Sequence, residues 1–391
     1  MSTLAENIQV DEPVRTNPKP ARIVFAGGGT GGHLYPSLAV AAALRDVLPK
    51  ARFSFYATNR KVDQDILSAA GETLFPQAVA PLTMKPWRWP GFWSAWRKSM
   101  KACSVDFKGD RPDLVVGSGA FASAPAICTA AKMGIPTALL NPDVIPGRAN
   151  RMLAKRVDCV LAQFESTRQH LPDDVRVEVV GCPVRKGFGL IESDRQSIYS
   201  RHGLDEQRRT LLVTGASLAA RSINDAMCRL ASDLGAHGNW QVVHLTGRDD
   251  LDKVQSAYAS HRVHALCLAY TEAMSDFMSI ADLVVSRAGA STLAELRAVG
   301  VPAIFVPYPH HRDQHQLVNA MELVNVGAGR VCEESDDPLK TAAKLRGLLL
   351  ELISNDRALA TFKAAAEEHK FTDAAQRTCH ALLELAGLCE F

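Results

Sequence analysis

The chain has 391 residues, of which 47% are hydrophobic and 22% are charged, with a formal net charge of +2. This length predicts two domains, and the near balance of 44 basic and 42 acidic residues argues against a nucleic-acid partner. No apolar run approaches the roughly 18 residues that a membrane span needs, and the nine cysteines occur without a CxxC pair or a signal peptide. We therefore expect a cytoplasmic globular protein with reduced thiols.

The first predicted elements surround a glycine-rich loop. Residues 1–20 lack an apolar segment, so we expect a disordered lead-in. A buried strand is predicted over 23–26, followed by the sequence GGGTGGH at 27–33 and a helix over 36–48. Five glycines between a strand and a helix indicate a loop whose N–H groups hold a phosphate or a sugar diphosphate, with a structural turn as the alternative.

Titratable residues occur at three places in the first half that bear on catalysis or metal binding. His33 either caps a turn or, at the mouth of an inter-domain cleft, accepts a proton from an attacking hydroxyl. Asp143 is the only carboxylate in the loop 141–147, where it can act as a second base or as an ordinary turn residue. The DxD sequence at 63–65 lies where a helix should begin, so we interpret it as first-turn acidic residues and expect no metal site.

An aromatic and basic segment lies within 81–108. It contains four of the five tryptophans, interleaved with lysines and arginines, and Trp89, Trp93 and Trp96 share one face of a helix. One interpretation is a helix that packs its aromatic side chains into the core. The other is contact with an anionic membrane surface through residues 85–101.

Predicted strands alternate with helical segments along the whole chain. The further strands are predicted at 52–57, 113–117, 136–140, 159–162, 177–180, 211–215, 242–246, 265–268, 283–285 and 303–306, and the last helices at 224–234, 293–299, 339–352, 356–369 and 374–385. This alternation predicts parallel sheets of α/β type. Both halves open with a strand that leads into a small-residue loop, at 27–33 and at 215–222.

The stretch 281–320 contains two strand–loop–helix units in succession. After the first strand, a turn of small residues leads to a helix that Ser291 or Thr292 can cap. After the second strand comes a polar loop, and ligands of open α/β sheets bind where such loops leave the carboxyl ends of strands. Glu295 can accept two ribose hydroxyls and Gln316 can bond sugar hydroxyls, so the stretch predicts a sugar-nucleotide site.

A family resemblance appears when five motifs are taken together. They are GGGTGGH at 27–33, GCPVR at 181–185, GASLAARSIN at 215–224, SRAGASTLAEL at 286–296 and PHHRDQHQLVNA at 309–320. In order and spacing, from about residue 22 to 385, the chain resembles the bacterial MurG-type UDP-N-acetylglucosamine glycosyltransferases that convert lipid I to lipid II in peptidoglycan synthesis. The resemblance implies an α/β fold of GT-B type, with two Rossmann-like domains facing across a cleft.

The resemblance also implies a domain plan. Residues 21–186 would form an acceptor-binding, membrane-associated domain and 187–360 a UDP-sugar-binding domain, and helices in 361–391 would pack back toward the first domain. The protein would be peripheral on the inner face of the cell membrane. Its substrates would be UDP-GlcNAc and a lipid-diphosphate-linked acceptor, and it would need no cofactor.

The resemblance assigns substrate-binding roles to nine positions. They are Glu295 for the ribose, His315 and Gln316 for the sugar, Ser217 and Arg185 for the diphosphate, the main chain at Thr271 for the uracil, and Thr30, Gly31 and Gly32 for the acceptor and diphosphate. The implied reaction is an inverting transfer of N-acetylglucosamine from UDP to lipid I, with His33 or Asp143 accepting the proton.

Two loops depart from the family pattern. Residues 140–143 are LNPD where the family usually has His-Glu-Gln-Asn, and this favours a paralogue that uses another lipid or glycan acceptor. The loop 215–221 lacks two glycines and a glutamine of the family pattern, and this favours a degenerate sugar-nucleotide-binding protein.

Overall fold

The structure is a computed structural model that describes residues 19–79, 89–185, 187–188, 195–215, 220–310 and 313–388. The expectations for residues 1–18, for 85–88 and for Ser217 lie outside the described residues.

The first sheet contains seven parallel strands within the described residues. They are β1 (Arg22–Ala26), β2 (Arg52–Ala57), β3 (Leu74–Pro76), β4 (Leu114–Gly117), β5 (Thr137–Asn141), β6 (Cys159–Ala162) and β7 (Val177–Val179). The helices that connect them are α1 (Gly31–Val47), α2 (Lys61–Ala69), α3 (Trp89–Gly109), α4 (Ala120–Lys132) and α5 (Arg148–Leu153), with short 3-10 turns at Ala154–Arg156 and Glu165–His170. The spatial order is β3-β2-β1-β4-β5-β6-β7, so the order reverses between β1 and β4.

The second sheet contains six parallel strands in the described part of the chain. They are β8 (Arg209–Thr214), β9 (Trp240–Leu245), β10 (Ala265–Leu268), β11 (Leu283–Ser286), β12 (Ala303–Phe305) and β13 (Gly329–Val331), in the order β10-β9-β8-β11-β12-β13. The remaining helices are α6 (Arg195–His202), α7 (Arg221–Arg229), α8 (Ala231–Ala236), α9 (Leu251–Ser260), α10 (Met274–Ile280), α11 (Ala290–Val299), α12 (His315–Asn325), α13 (Pro338–Ile353), α14 (Asp356–Glu368) and α15 (Ala374–Leu385).

Both sheets have the strand order of a Rossmann-like fold, which confirms the predicted α/β class. β1, β4 and β11 are buried along their whole length, because helices cover both faces of each sheet. The order reverses between β1 and β4 in the first sheet and between β8 and β11 in the second. In doubly wound sheets, ligands bind beside these reversal points, at the carboxyl ends of the strands.

The last helix of the chain returns to the first sheet. α15 packs against α1, and Leu382, which is completely buried, belongs to the same apolar cluster as Ile23 and Leu44. The chain therefore crosses between the two halves after β7 and again before α15.

Two predicted helix starts are displaced in the structure. α1 begins at Gly31 rather than at 36, so Gly32 and His33 belong to its first turn. α11 begins at Ala290 with Gly289 as its N-cap, and no side-chain hydrogen bond caps it. The predicted capping by Ser291 or Thr292 is therefore wrong, because both residues already lie inside the helix, where their backbone is helical.

The tryptophan-bearing helix α3 divides its aromatic side chains between the core and the surface. Its inward side is formed by Ser99, Cys103 and Phe107, and Trp96 packs half-buried against this cluster. Trp89 and Trp93 are 46% and 52% exposed. The core-packing interpretation therefore holds for Trp96 but not for Trp89 and Trp93, and contact with a membrane surface stays a prediction. No helix among the described residues has the length and apolar character that crossing a bilayer requires.

The return of α15 predicts a measurable contribution to stability. Truncating a fully buried leucine to alanine lowers the free energy of unfolding by about 2–5 kcal/mol, because the burial of its methyl groups is lost and a cavity remains. We expect Leu382→Ala to lower the free energy of unfolding by this amount in a urea titration. Leu339→Ala is the matched control, since this leucine is 60% exposed and its loss should change stability little. Equal effects of the two substitutions would contradict the docking of α15.

Candidate active site between the two sheets

The glycine-rich loop after β1 is held by a buried carboxylate. Asp63 is completely buried and accepts hydrogen bonds from the N–H groups of Gly29, at 2.8 Å, and Thr58, at 3.0 Å. Gly28 has φ +152, and a β-carbon there would lie 2.9 Å from Cβ of Ala57, so only glycine fits. The first aspartate of the DxD sequence therefore positions this loop from inside the fold.

His33 is oriented by a main-chain carbonyl at the end of β4. Its Nδ1 lies 2.8 Å from the carbonyl oxygen of Ser118. A carbonyl can only accept, so Nδ1 carries the proton and Nε2 keeps a lone pair. Burial lowers the pKa of His33, which keeps the imidazole neutral. The side chain therefore has the tautomer and charge state that a general base requires.

The close contact between the His33 ring and the main chain after β4 requires the glycine that follows Ser118. Gly119 has φ +95, and a β-carbon at this position would lie 3.0 Å from the imidazole of His33. Beside the imidazole is a crevice whose walls include Asn141, Pro142 and Cys182. Burial raises the pKa of the Cys182 thiol to about 12, so this cysteine stays protonated and is not a nucleophile.

Asp143 is bound to the second half of the chain through Asn319. Asn319 lies on α12 and is completely buried. Its Nδ2 donates to Oδ1 of Asp143 at 2.8 Å, and its Oδ1 accepts from the backbone N–H of Val144 at 2.9 Å. One amide therefore binds a side chain and the main chain of the 141–147 loop. Asp143 also lies close enough to His33 to favour the charged form of the imidazole.

Glu295 and Arg185 meet across the cleft. Nη2 of Arg185 lies 3.7 Å from Oε1 of Glu295, whose side chain is 17% exposed. Burial raises the pKa of Glu295 to about 7, although the guanidinium opposes this shift. Arg185 also stacks on the ring of Tyr35 at 4.5 Å, and its Nε has no hydrogen-bond partner among the described residues. The pair is thus a half-buried cation and a carboxyl that titrates near neutral pH.

The residues predicted to bind the sugar and the uracil form hydrogen bonds within their own loops in this structure. Oε1 of Gln316 accepts from the backbone N–H of Tyr308 at 2.9 Å. Nδ1 of His315 lies 2.9 Å from Oδ1 of Asp313, and Oγ1 of Thr271 accepts from the N–H of Ala273 at 3.0 Å. Their roles toward a substrate stay predictions.

The glycine loop and α11 face each other. Thr30 is the N-cap of α1 and is exposed. A β-carbon on Gly32 would lie 3.5 Å from Oγ of Ser291, and Gly31 packs against the ring of Tyr35. The structure thus brings the predicted loop residues 30–32 opposite the helix that bears Glu295.

Sequence reasoning missed two residues of this site. Asn319 follows Gln316 by three positions, so helical spacing places both residues on one face of α12. This spacing was a signal in the sequence that could have identified Asn319 as a site residue. Tyr35, which supports Arg185, had no such signal, because its partner lies 150 positions away in the sequence.

Two domain families match the chain in the order of its two sheets. The glycosyltransferase family 28 N-terminal domain matches residues 23–162, and the glycosyltransferase family 28 C-terminal domain matches residues 210–378. The chain belongs to glycosyltransferase family 28. The family resemblance and the GT-B architecture of two Rossmann-like domains are therefore confirmed.

Relatives of this family 28 enzyme share most of its length. Proteins of Myxococcus xanthus (strain DK1622) and Desulforamulus reducens (strain ATCC BAA-1160 / DSM 100696 / MI-1) are both named "UDP-N-acetylglucosamine--N-acetylmuramyl-(pentapeptide) pyrophosphoryl-undecaprenol N-acetylglucosamine transferase". The first is 35% identical over 353 residues, covering 88% of this chain and 88% of that protein. The second is 32% identical over 346 residues, covering 86% of this chain and 91% of that protein.

Solved structures share the fold. MurG of Acinetobacter baumannii superimposes with a TM-score of 0.73 at 24% identity, covering 93% of this chain and all of that one. UDP-GlcNAc 2-epimerase of Neisseria meningitidis, bound to UDP-GlcNAc, superimposes with a TM-score of 0.67 at 14% identity, covering 93% of this chain and all of that one.

The raised pKa of Glu295 predicts a pH-dependent cost to the fold. The folded pKa of about 7 lies above the ordinary value of 4.5, so the contribution of this carboxyl to stability is present at low pH and is lost as the pH rises through 7. We expect the free energy of unfolding of Glu295→Gln to rise, relative to that of the parent protein, by about 2–3 kcal/mol between pH 5 and pH 8. Urea titrations at both pH values measure this difference.

The exposed Glu165 provides the matched control for this measurement. Glu165→Gln should show no such gain, because its carboxylate remains in water in both states. A constant difference between Glu295→Gln and the parent across the pH range would contradict the buried position of Glu295.

Proposed function

We propose that this enzyme transfers N-acetylglucosamine from UDP-GlcNAc to lipid I with inversion at the anomeric carbon, giving lipid II. The observation that carries the proposal is the neutral His33 imidazole, positioned by Ser118 at the cleft that Glu295 faces from the other sheet. The names of the relatives support the identity of both substrates.

In the proposed donor complex, Glu295 accepts hydrogen bonds from the ribose hydroxyls, and Gln316 and His315 bind the sugar. Support for Glu295 comes from its place in α11, one turn after the N-terminus that follows β11. Binding of the ribose would replace part of the 3.7 Å contact between Glu295 and Arg185. Arg185 would then be available to the diphosphate of the leaving UDP, as would the N-termini of the helices.

The proposed chemical step is a single displacement. The acceptor hydroxyl oxygen forms a bond to the anomeric carbon while the bond from that carbon to the β-phosphate oxygen of UDP breaks. The hydroxyl proton passes to Nε2 of His33, and UDP leaves with the electron pair. Asp143 is the alternative base. Oδ1 of Asp143 already accepts a hydrogen bond from Asn319, which supports His33 in this role.

We propose that the first half, residues 21–186, binds the lipid acceptor and the membrane surface, and that residues 187–360 bind the donor. The exposed rings of Trp89 and Trp93 support this division, because they lie on α3 next to the exposed Arg97, Lys98 and Lys101. Amphipathic rings and basic side chains on one helix suit the interface of an anionic bilayer. The protein would then be peripheral on the inner face of the cell membrane.

Substitution of the two candidate bases tests the chemical step. His33→Asn keeps an amide N–H near the position of Nδ1 for the Ser118 carbonyl but removes the base, so we expect kcat for UDP release with lipid I to fall by about 10²–10⁴-fold. Asp143→Asn keeps the side-chain oxygen that Asn319 binds, so kcat should fall by less than about tenfold. The parent kcat, measured at saturating donor, should decline only below about pH 6.5, because burial lowers the pKa of His33. Loss of activity in Asp143→Asn alone would contradict the assignment of His33.

The same assay separates the proposed reaction from its two alternatives. UDP release that depends on lipid I supports the proposal, whereas release with another polyprenyl-diphosphate glycan alone would indicate a paralogue. Calorimetric binding of UDP-GlcNAc without turnover on any acceptor would indicate a degenerate binding protein.

Exposure of α3 predicts the outcome of a vesicle-binding experiment. A Trp89→Ser, Trp93→Ser double variant should bind anionic phosphatidylglycerol vesicles about tenfold more weakly. Without the two rings to bury in the bilayer interface, the binding free energy is smaller by about 1.4 kcal/mol. Co-sedimentation measures this change. Met152→Ser is the matched control, since this apolar side chain is 64% exposed elsewhere on the same half. Equal binding of the double variant and the parent would exclude α3 as the membrane contact.

A further inference from the structure

A second cavity lies between the two halves, away from the glycine loop. Its volume is about 260 Å³, several times the roughly 30 Å³ that one water molecule occupies. Gln163 and Phe164 line it from the end of β6, Arg297 from α11, and Glu322 from α12. Residues of both sheets therefore form its walls, and none of them belongs to the proposed glycosyl-transfer site.

Gln163 lines this cavity and carries a buried amide without a hydrogen-bond partner among the described residues. The side chain is 2% exposed, and neither its Nε2 nor its Oε1 has a hydrogen-bond partner among the described residues. Buried amides in folded proteins are nearly always paired, and each unpaired group costs about 1–3 kcal/mol. The amide nitrogen and oxygen have almost no accessible surface, so the amide lies behind the wall that other atoms of this residue help to form.

Arg297 supplies a positive charge. Its guanidinium lies 5.7 Å from the ring centroid of Phe164 and 4.9 Å from that of Phe371, one on each side of the domain junction. No hydrogen bond or ion pair with another described residue engages its five N–H groups. Burial lowers the pKa of Arg297, and the carboxylate of Glu322 acts against this shift, so the guanidinium stays charged.

The cavity also contains a negative charge, from Glu322, and an apolar surface. One carboxylate oxygen of Glu322 accepts a hydrogen bond from Ser166 at 2.5 Å, which holds the side chain in place. The remaining walls include Val301, Leu323 and Val326. A ligand that complements this cavity therefore carries an anionic group, a cationic group and an apolar body.

We propose that this cavity binds a small zwitterion, namely a free α-amino acid with an apolar side chain. Its carboxylate binds the guanidinium of Arg297, and its ammonium group binds the carboxylate of Glu322. Its side chain packs against the aliphatic wall. A planar guanidinium binds a carboxylate through two parallel hydrogen bonds, which gives this end of the ligand its orientation.

Occupancy of the cavity couples to the proposed donor site through α11. Arg297 and Glu295 lie two residues apart on this helix, and Glu322 shares α12 with Gln316 and Asn319. A ligand that joins β6 to α11 and α12 favours one placement of the two halves. By linkage, binding of the amino acid and binding of the sugar nucleotide then change each other's affinity by the same factor. The binding site itself does not depend on the proposed glycosyl transfer.

Isothermal titration of the full chain with L-alanine, L-valine, L-leucine, L-methionine and L-phenylalanine tests the proposal. We expect saturable binding of at least one of them, and binding at least tenfold weaker for two analogues of leucine. These are 4-methylpentanoate, which lacks the ammonium group, and 3-methylbutylamine, which lacks the carboxylate. Absence of binding by all five at about 10 mM would overturn the proposal. Equal binding of leucine and either analogue would also overturn it.

Two variants and one matched control locate the binding. Arg297→Met and Glu322→Gln keep the volume of the side chains but each remove one charged contact, so each should raise the Kd of the bound amino acid at least tenfold. Arg330→Met is the control, because Arg330 stacks on Phe362 at 5.0 Å outside this cavity, and its Kd should equal that of the parent. Thermal unfolding confirms that each variant is folded. An unchanged Kd in both variants, or a crystal structure with water alone between Arg297 and Glu322, would refute the site.

Discussion

The arrangement of the cleft depends on one buried amide that joins the two halves. Asn319 on α12 accepts a hydrogen bond from the main chain at Val144 and donates one to the carboxylate of Asp143. Because the amide is completely buried, loss of either bond would leave a polar group without water, at a cost of about 1–3 kcal/mol. The two bonds therefore favour one placement of the halves. In that placement, the glycine loop after β1 lies opposite α11.

Burial in this cleft shifts the pKa values of two groups in opposite directions, and both shifts have one physical cause. A weakly polar environment penalises the charged form of any group, so the pKa of His33 falls and that of Glu295 rises. His33 is consequently a neutral base at physiological pH, and Glu295 titrates close to it. The cation of Arg185, held against Tyr35, offsets only part of the effect on Glu295. Paired shifts of opposite sign in one site are typical of acid–base chemistry.

The alternation of apolar runs and helical segments was sufficient to predict both parallel sheets and most of their strands. The strands β3 and β13 were missed, because Pro76 in the first, and Gly329 and Arg330 in the second, leave no apolar run. The start of α1 was misplaced because glycine lowers helix propensity, yet Gly31 and Gly32 sit in a first turn whose N–H groups have no helical partner in any case. Helix boundaries depend on such local geometry more than on composition.

The sequence by itself determined the class of fold, the glycine loop and the positions of His33, Glu295 and Gln316, because these follow from short-range patterns along one strand and the loop after it. Only the tertiary structure decided which of these residues meet. The contacts of Asn319 with Asp143 and of Arg185 with Tyr35 join residues 176 and 150 positions apart. Burial is likewise a property of the packed fold, so the pKa shifts of His33 and Glu295 follow from the tertiary structure.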